Sequence, residues 1–178
     1  SSGLGPLLAQ PDSPDRKLRV QRLAQQMLGV DVAGVQVYGM DGALLASAGV
    51  TTPANGNVRH PLVLEGRRAT LMWDAGYVLR SEHDVLDGAR VVGRVAGERR
   101  LALLDRVLGS IRAAGASDIL LCHRAGDAAM CAPTRFYKKP FEVPMFKPDT
   151  SLNLPISHAL AGRSGVAGVT GSGSALPY

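Results

Sequence analysis

Aromatic side chains are scarce in this sequence, at 4% of residues with Trp73 as the single tryptophan. Nucleic-acid binders combine clustered cations with stacking platforms, and so few aromatics offer little to stack on. The formal charge is +5, but the arginines that carry most of it are scattered, as at Arg59, Arg80, Arg90, Arg124 and Arg163. No P-loop, zinc-finger spacing or RNA-recognition signature occurs. Nucleic acid is therefore not an expected partner. Long apolar runs are missing too, since none approaches the roughly 18 residues that span a bilayer. Residues Ser1–Gln10 lack a basic region leading into an apolar core, so they do not read as a signal peptide. Cysteine is limited to Cys122 and Cys131. A chain of this length buries about 70% of its unfolded surface, so folding requires neither metal nor disulfide.

Catalytic patterns are equally sparse. Acidic residues are dispersed, with no paired carboxylates arranged for general acid–base work. His60, His83, His123 and His158 form no ligand spacing, and no nucleophile elbow accompanies the adjacent Ser157 and His158. The expectation is a protein without catalysis of its own and without a cofactor.

What is present is an ordinary globular composition, 46% apolar and 20% charged, long enough for one large domain or two small ones. Residues 1–12, rich in Gly, Pro and Ser, read as a linker. Ser13-Pro14-Asp15 supplies a helix start: a capping hydroxyl, proline in the first turn and an acid near the positive dipole end. Val20, Leu23, Ala24, Met27 and Leu28 then recur at helical spacing up to Gly29, with Arg16, Lys17, Arg19 and Arg22 on the other side. From Gly34 the pattern becomes strand-like. Asp41-Gly42 and Asp87-Gly88 are two-residue hairpin signals, and 58–64 and 68–73 are further strands. A second helix is predicted over Glu98–Ala114, with a stripe of Leu101, Leu104, Leu108 and Ile111 ended by Gly115. A third runs over Leu154–Ala161, capped by Asn153, with Gly162 beyond it. One strand is expected at Val166–Thr170. The fold class is α+β, with antiparallel sheet and each half opening on an amphipathic helix that feeds a hairpin.

Cys122 and Cys131 support a specific inference. If Gly126 and Asp127 are the turn residues of a hairpin, Ala125 faces Ala128, Arg124 faces Ala129 and Cys122 faces Cys131. Opposed residues on antiparallel strands have Cα atoms about 4.5–5.5 Å apart, within reach of a disulfide. Two buried thiols on one face are the competing reading. Metal ligation with a histidine is weaker, because His123 points to the opposite face.

Two groups of side chains mix cations with aromatic rings. Pro133-Thr134-Arg135-Phe136-Tyr137-Lys138-Lys139 leaves the cysteine hairpin as the rim of a pocket for an anionic ligand would. Trp73, Tyr77 and Arg80 form a similar group on the first sheet. For each, a solvated loop or a core residue is the plainer alternative, as a satisfied structural histidine is for His158.

The segment Ile119-Leu120-Leu121-Cys122-His123-Arg124-Ala125-Gly126-Asp127, with Cys131-Ala132-Pro133-Thr134-Arg135 after it, resembles the hairpin of Cache-type sensor domains. In that family a strand, an Arg-x-Gly-Asp turn and a second strand lead to a Pro-x-Arg loop. Leu154–Val166 is similar to the short helix and glycine turn that follow. The likeness is clearest over 98–170 and holds in outline over 15–95. It implies PAS-like antiparallel units flanked by helices, the first over 13–97 and the second over 98–178. The second falls two strands short of the family's pattern at Tyr178. It also implies the periplasmic part of an inner-membrane receptor (a histidine kinase, a chemoreceptor or a diguanylate cyclase–phosphodiesterase) whose membrane anchors lie outside this sequence. A small-molecule ligand, anionic by the cationic rims, would bind in the concave sheet, with Arg135, Tyr137 and His158 bordering the second pocket. Signalling would proceed as a homodimer through the helices. Two other classes stand beside it: a soluble partner-binding domain that dimerises along the 15–28 stripe, and a small metal- or thiol-dependent enzyme built on Cys122, His123 or His158.

Overall fold

The computed structural model describes residues 3–53, 59–64, 67–114, 119–134, 137–152 and 154–162. They form a mixed α+β protein with four helices, a six-stranded antiparallel sheet and a three-stranded antiparallel sheet. The chain divides into two compact units, residues 1–56 with 61–102 and residues 57–60 with 103–178. No described helix is long and apolar enough to cross a membrane.

The first unit opens with α1 (Leu4–Leu8), where a linker was expected. Leu4, Leu7 and Leu8 fall at i, i+3 and i+4, so all three side chains meet the core on one face and are buried. Each contributes about 1.5–3 kcal/mol by leaving water. That gain holds a five-residue helix which its own hydrogen bonds would not sustain. Gly5 makes the approach possible, because a Cβ there would stand 2.0 Å from the Leu86 carbonyl oxygen. Helix α2 (Pro14–Gln26) follows, and the Ser13 hydroxyl accepts the Arg16 N–H at 3.2 Å as its cap. Arg16 turns back to donate to the carbonyls of Leu7 and Leu8, satisfying the open end of α1. Val20 and Ala24 of the α2 stripe are packed into the core against the sheet.

Strands β1 (Gly34–Tyr38), β2 (Leu44–Gly49), β3 (Arg59–Leu64), β4 (Arg67–Trp73), β5 (Tyr77–Asp87) and β6 (Arg90–Arg100) lie in the order β2-β1-β6-β5-β4-β3. Pro61 fits because β3 is an edge strand, where a missing N–H breaks no ladder. Val35, Val37, Ala46 and Ala48 project from one face into the cluster with α1 and α2.

The turns differ from expectation in detail. Around Asp41-Gly42 only Gly42 has positive φ, at 78°, and Gly42 N–H bonds back to Gly39 O. Met40 and Asp41 thus form the turn, and Gly42 follows as the left-handed residue of a bulged three-residue loop. At the next hairpin Asp87 pairs with Arg90, so Gly88-Ala89 is the turn rather than Asp87-Gly88. The two arms are 11 residues each, longer than the short strands expected.

In the second unit α3 (Ala102–Ala114) begins four residues later than predicted, because residues 98–100 complete β6. Glu98 is paired opposite Arg80 and buried, which no helix start would allow. Strands β7 (Cys122–Ala125), β8 (Ala128–Cys131) and β9 (Phe141–Pro144) make the small sheet. The register of β7 with β8 is the expected one, from Ala125↔Ala128 to Cys122↔Cys131. Helix α4 (Leu154–Leu160) packs Ile156 and Leu160 against Ala129, Cys131 and Val143. Asn153, Gly115 and Val166–Thr170 lie outside the described residues.

Candidate functional site

Strand alternation gives the large sheet a second, polar face. Tyr38 and Gln36 of β1 lie opposite Arg94 and Ala96 of β6, and Glu98, Ala96 and Arg94 lie opposite Arg80, Glu82 and Asp84 of β5. All therefore project to the side away from Val35 and Val37. Arg80 is the hub. Its Nη1 donates to Glu98 Oε1 at 2.8 Å and to Gln36 Oε1, its Nη2 to the Tyr38 hydroxyl at 2.9 Å, and its Nε to Glu82 at 3.1 Å. The Tyr38 hydroxyl donates its own hydrogen bond to Gln36 Oε1 at 2.8 Å, so this oxygen is satisfied twice. Glu98, 2% exposed, accepts a further bond from the Thr52 N–H at 2.7 Å. Burial opposes the charge on Arg80. The bonds to Tyr38, Glu82 and Glu98 outweigh it and hold the guanidinium above its ordinary pKa.

Above this hub lies a cavity of about 430 Å³ lined by Tyr38, Met40, Arg68, Arg80, Glu82, Asp84, Val91 and Arg94. Arg94 bridges Glu82 at 3.5 Å and Asp84 at 3.6 Å, and its side chain is 44% exposed. Arg68 is also exposed. The walls thus offer cations and carboxylates that remain in contact with water, over a floor whose charges are internally paired. Such a surface can orient a small polar molecule through charge-assisted hydrogen bonds.

The sequence-predicted residues distribute unevenly around this site. Arg80 belongs to it, as part of the floor. Trp73 and Tyr77 do not: they oppose each other across β4 and β5 in an edge-to-face contact with centroids 5.0 Å apart. Tyr77 stands three residues before Arg80 on one strand, an odd spacing that sends the two side chains to opposite faces. Among the second group, Arg135 lies outside the described residues. Tyr137 is half-buried and stacks on Phe141 at 4.2 Å, while its backbone closes a turn with Thr134. His158 is half-buried on α4, and among the described contacts none joins it to Tyr137, whose ring stacks on Phe141 instead. Ser157 donates its hydroxyl to the Met145 carbonyl at 2.9 Å, which engages it away from any dyad with His158.

Cys122 and Cys131 form a disulfide, with Cα atoms 4.1 Å apart. On the opposite side of β7, His123 meets His60, Nδ1 to Nδ1 at 3.1 Å. Burial, followed by the nearby His123, lowers His60 from 6.5 to about 4, and burial also lowers His123. This pair was not anticipated, because 63 residues separate its members and neither carries a local motif. The polar floor had a usable signal: Arg80-x-Glu82-x-Asp84 and Arg94-x-Ala96-x-Glu98 alternate at strand period.

No protein family, curated protein or solved structure matches this chain.

Proposed function

We propose that this chain is the ligand-sensing part of a bacterial transmembrane receptor, built on PAS-like units of Cache type and positioned outside the cytoplasm. One observation carries the reading: an antiparallel sheet closed by helices on one face bears, on the other, a polar cavity of about 430 Å³ with water-exposed cations and carboxylates. A floor fixed by paired charges and a rim free to exchange partners suit reversible binding of a small polar ligand. Helices on the reverse face would receive the resulting shift, as a two-state element biased by differential affinity.

The test is a thermal-shift panel of small carboxylates, amines and zwitterions on the whole chain. A binder at about 100 times its Kd adds about 2.7 kcal/mol, which raises Tm by roughly 5–10 °C. The expected result is such a shift for one member of the panel, lost in Arg94→Ala and in Asp84→Ala. A panel without any shift, or a shift that survives both substitutions, overturns the reading. A second reading, a partner-binding module, is favoured by Leu103, Val107 and Ile111, exposed at i, i+4 and i+8 along α3. It predicts self-association or partner capture that Val107→Glu abolishes, with the cavity substitutions silent.

A further inference from the structure

The His60–His123 contact has the dimensions of a metal-ligand pair. The rings stand nearly perpendicular, 83° apart with centroids at 4.7 Å, and their Nδ1 atoms face each other at 3.1 Å. Imidazole nitrogens bind zinc at about 2.0–2.1 Å, so two on one ion lie about 2.9 Å apart at a right angle and about 3.3 Å apart at the tetrahedral angle. The observed separation falls between these values. In the metal-free pair a single proton joins the two nitrogens, donated by one ring and accepted by the other.

Both ligands are held in advance. His60 is 6% exposed, and His123 sits next to the disulfide-linked Cys122, whose partner Cys131 is fully buried. The Nε2 atom of His60 is buried and has no hydrogen-bond partner among the described residues. Nothing on that side of the ring selects its tautomer, so moving the proton to Nε2 and baring the Nδ1 lone pair breaks no second bond. His123 is only half-buried, which leaves a solvent side for incoming ion and water. Among the described residues no third histidine, cysteine or carboxylate joins the pair. The disulfide also removes both thiols from competition.

We infer that His60 and His123 form an open two-imidazole site for a divalent transition-metal ion, with Nδ1 of each ring as ligand and water in the remaining positions. Imidazole suits zinc, nickel and copper, and the stability order of the divalent ions places copper(II) first. The inference is independent of the ligand cavity, which uses none of these residues.

The experiment is titration of the oxidised, full chain with copper(II) alone, followed by calorimetry and electron paramagnetic resonance. Variants are His123→Ala, His123→Gln, His60→Ala and, as a control, His83→Ala, whose exposed side chain lies elsewhere. Loss of even an outer-shell partner weakens a metal site 10–100-fold. The expected result is one tight equivalent with nitrogen hyperfine structure from two imidazoles, weakened more than about 100-fold in both His123 variants. His83→Ala should retain the wild-type affinity. If His60→Ala does not fold, the two His123 variants carry the test, because that side chain is the more exposed. Wild-type binding no tighter than about 100 µM, or equal affinity in the His123 variants, overturns the inference.

Discussion

Replacing Arg80 by methionine removes, among the described residues, the one cation bonded to a carboxylate that is 2% exposed. The variant keeps an unbranched apolar stem but loses the bonds to Glu98, Glu82, Gln36 and Tyr38. Among the described residues, Glu98 is left with the Thr52 N–H as its donor. Breaking a buried ion pair from one side costs about 3–5 kcal/mol, and the surviving bond to Thr52 places this case near the lower end, at about 3–4 kcal/mol. In urea, with a slope of about 2 kcal/mol per molar, the midpoint drops by roughly 1.5–2 M. Trp73 is the single tryptophan and lies in the first unit, so its fluorescence reports that unit's transition directly. Adding Glu98→Leu removes the stranded charge and leaves one unpaired backbone N–H, worth about 1–3 kcal/mol. The double variant should therefore be more stable than Arg80→Met alone. A single-variant cost below about 1 kcal/mol, or a double variant less stable than the single, would refute the claim that this pair is a desolvated floor.

Further outcomes follow from other contacts. Replacing both Cys122 and Cys131 by alanine opens a loop of sequence separation 9, and chain entropy sets the loss for the second unit at about 2–3 kcal/mol, read as a urea midpoint on oxidised protein. Gly5→Ala places a methyl group against the Leu86 carbonyl and should undock α1 at a cost of about 2–3 kcal/mol, seen as hydrogen-exchange deprotection of residues 4–8 with Val20 and Ala24 still protected. For metal-free protein, His60 has a folded pKa of about 4 against 6.5 when unfolded, so the unfolded chain binds the extra proton first as pH falls. Its contribution is complete above about pH 6.5 and is lost between there and pH 4, in total about 3 kcal/mol, so that His60→Gln should flatten the urea midpoint across this window.

Local chemistry made part of this legible in advance. Ser13-Pro14-Asp15 starts a helix because the cap, the fixed φ and the dipole act within three residues. Gly126-Asp127 determined the cysteine register because a two-residue turn leaves one pairing. Glu98 was misassigned to a helix because its partners, Arg80 and Thr52, are 18 and 46 residues away. Trp73 and Arg80 were grouped by nearness in sequence, where strand parity separates them. Helix α1 was obscured by its Gly and Pro neighbours, although Leu4, Leu7 and Leu8 carried the helical spacing. The His60–His123 pair depends on two segments meeting in three dimensions, and nothing in either segment announces the other.

The docking of α1 has a mechanical consequence. Its backbone rests against Leu86 at the tip of β5–β6, Leu8 approaches Gly93, and Arg16 clamps its last carbonyls. A load applied at Leu4 is thus delivered to the far end of the longest hairpin without first passing through β1 or β2. That hairpin tip holds Val91 and Gly93, which also edge the polar cavity. The short helix and the cavity thus share one end of that hairpin, with Gly5 as the point of closest approach. A displacement of α1 and a change at the cavity's edge would therefore meet at the same few peptide units.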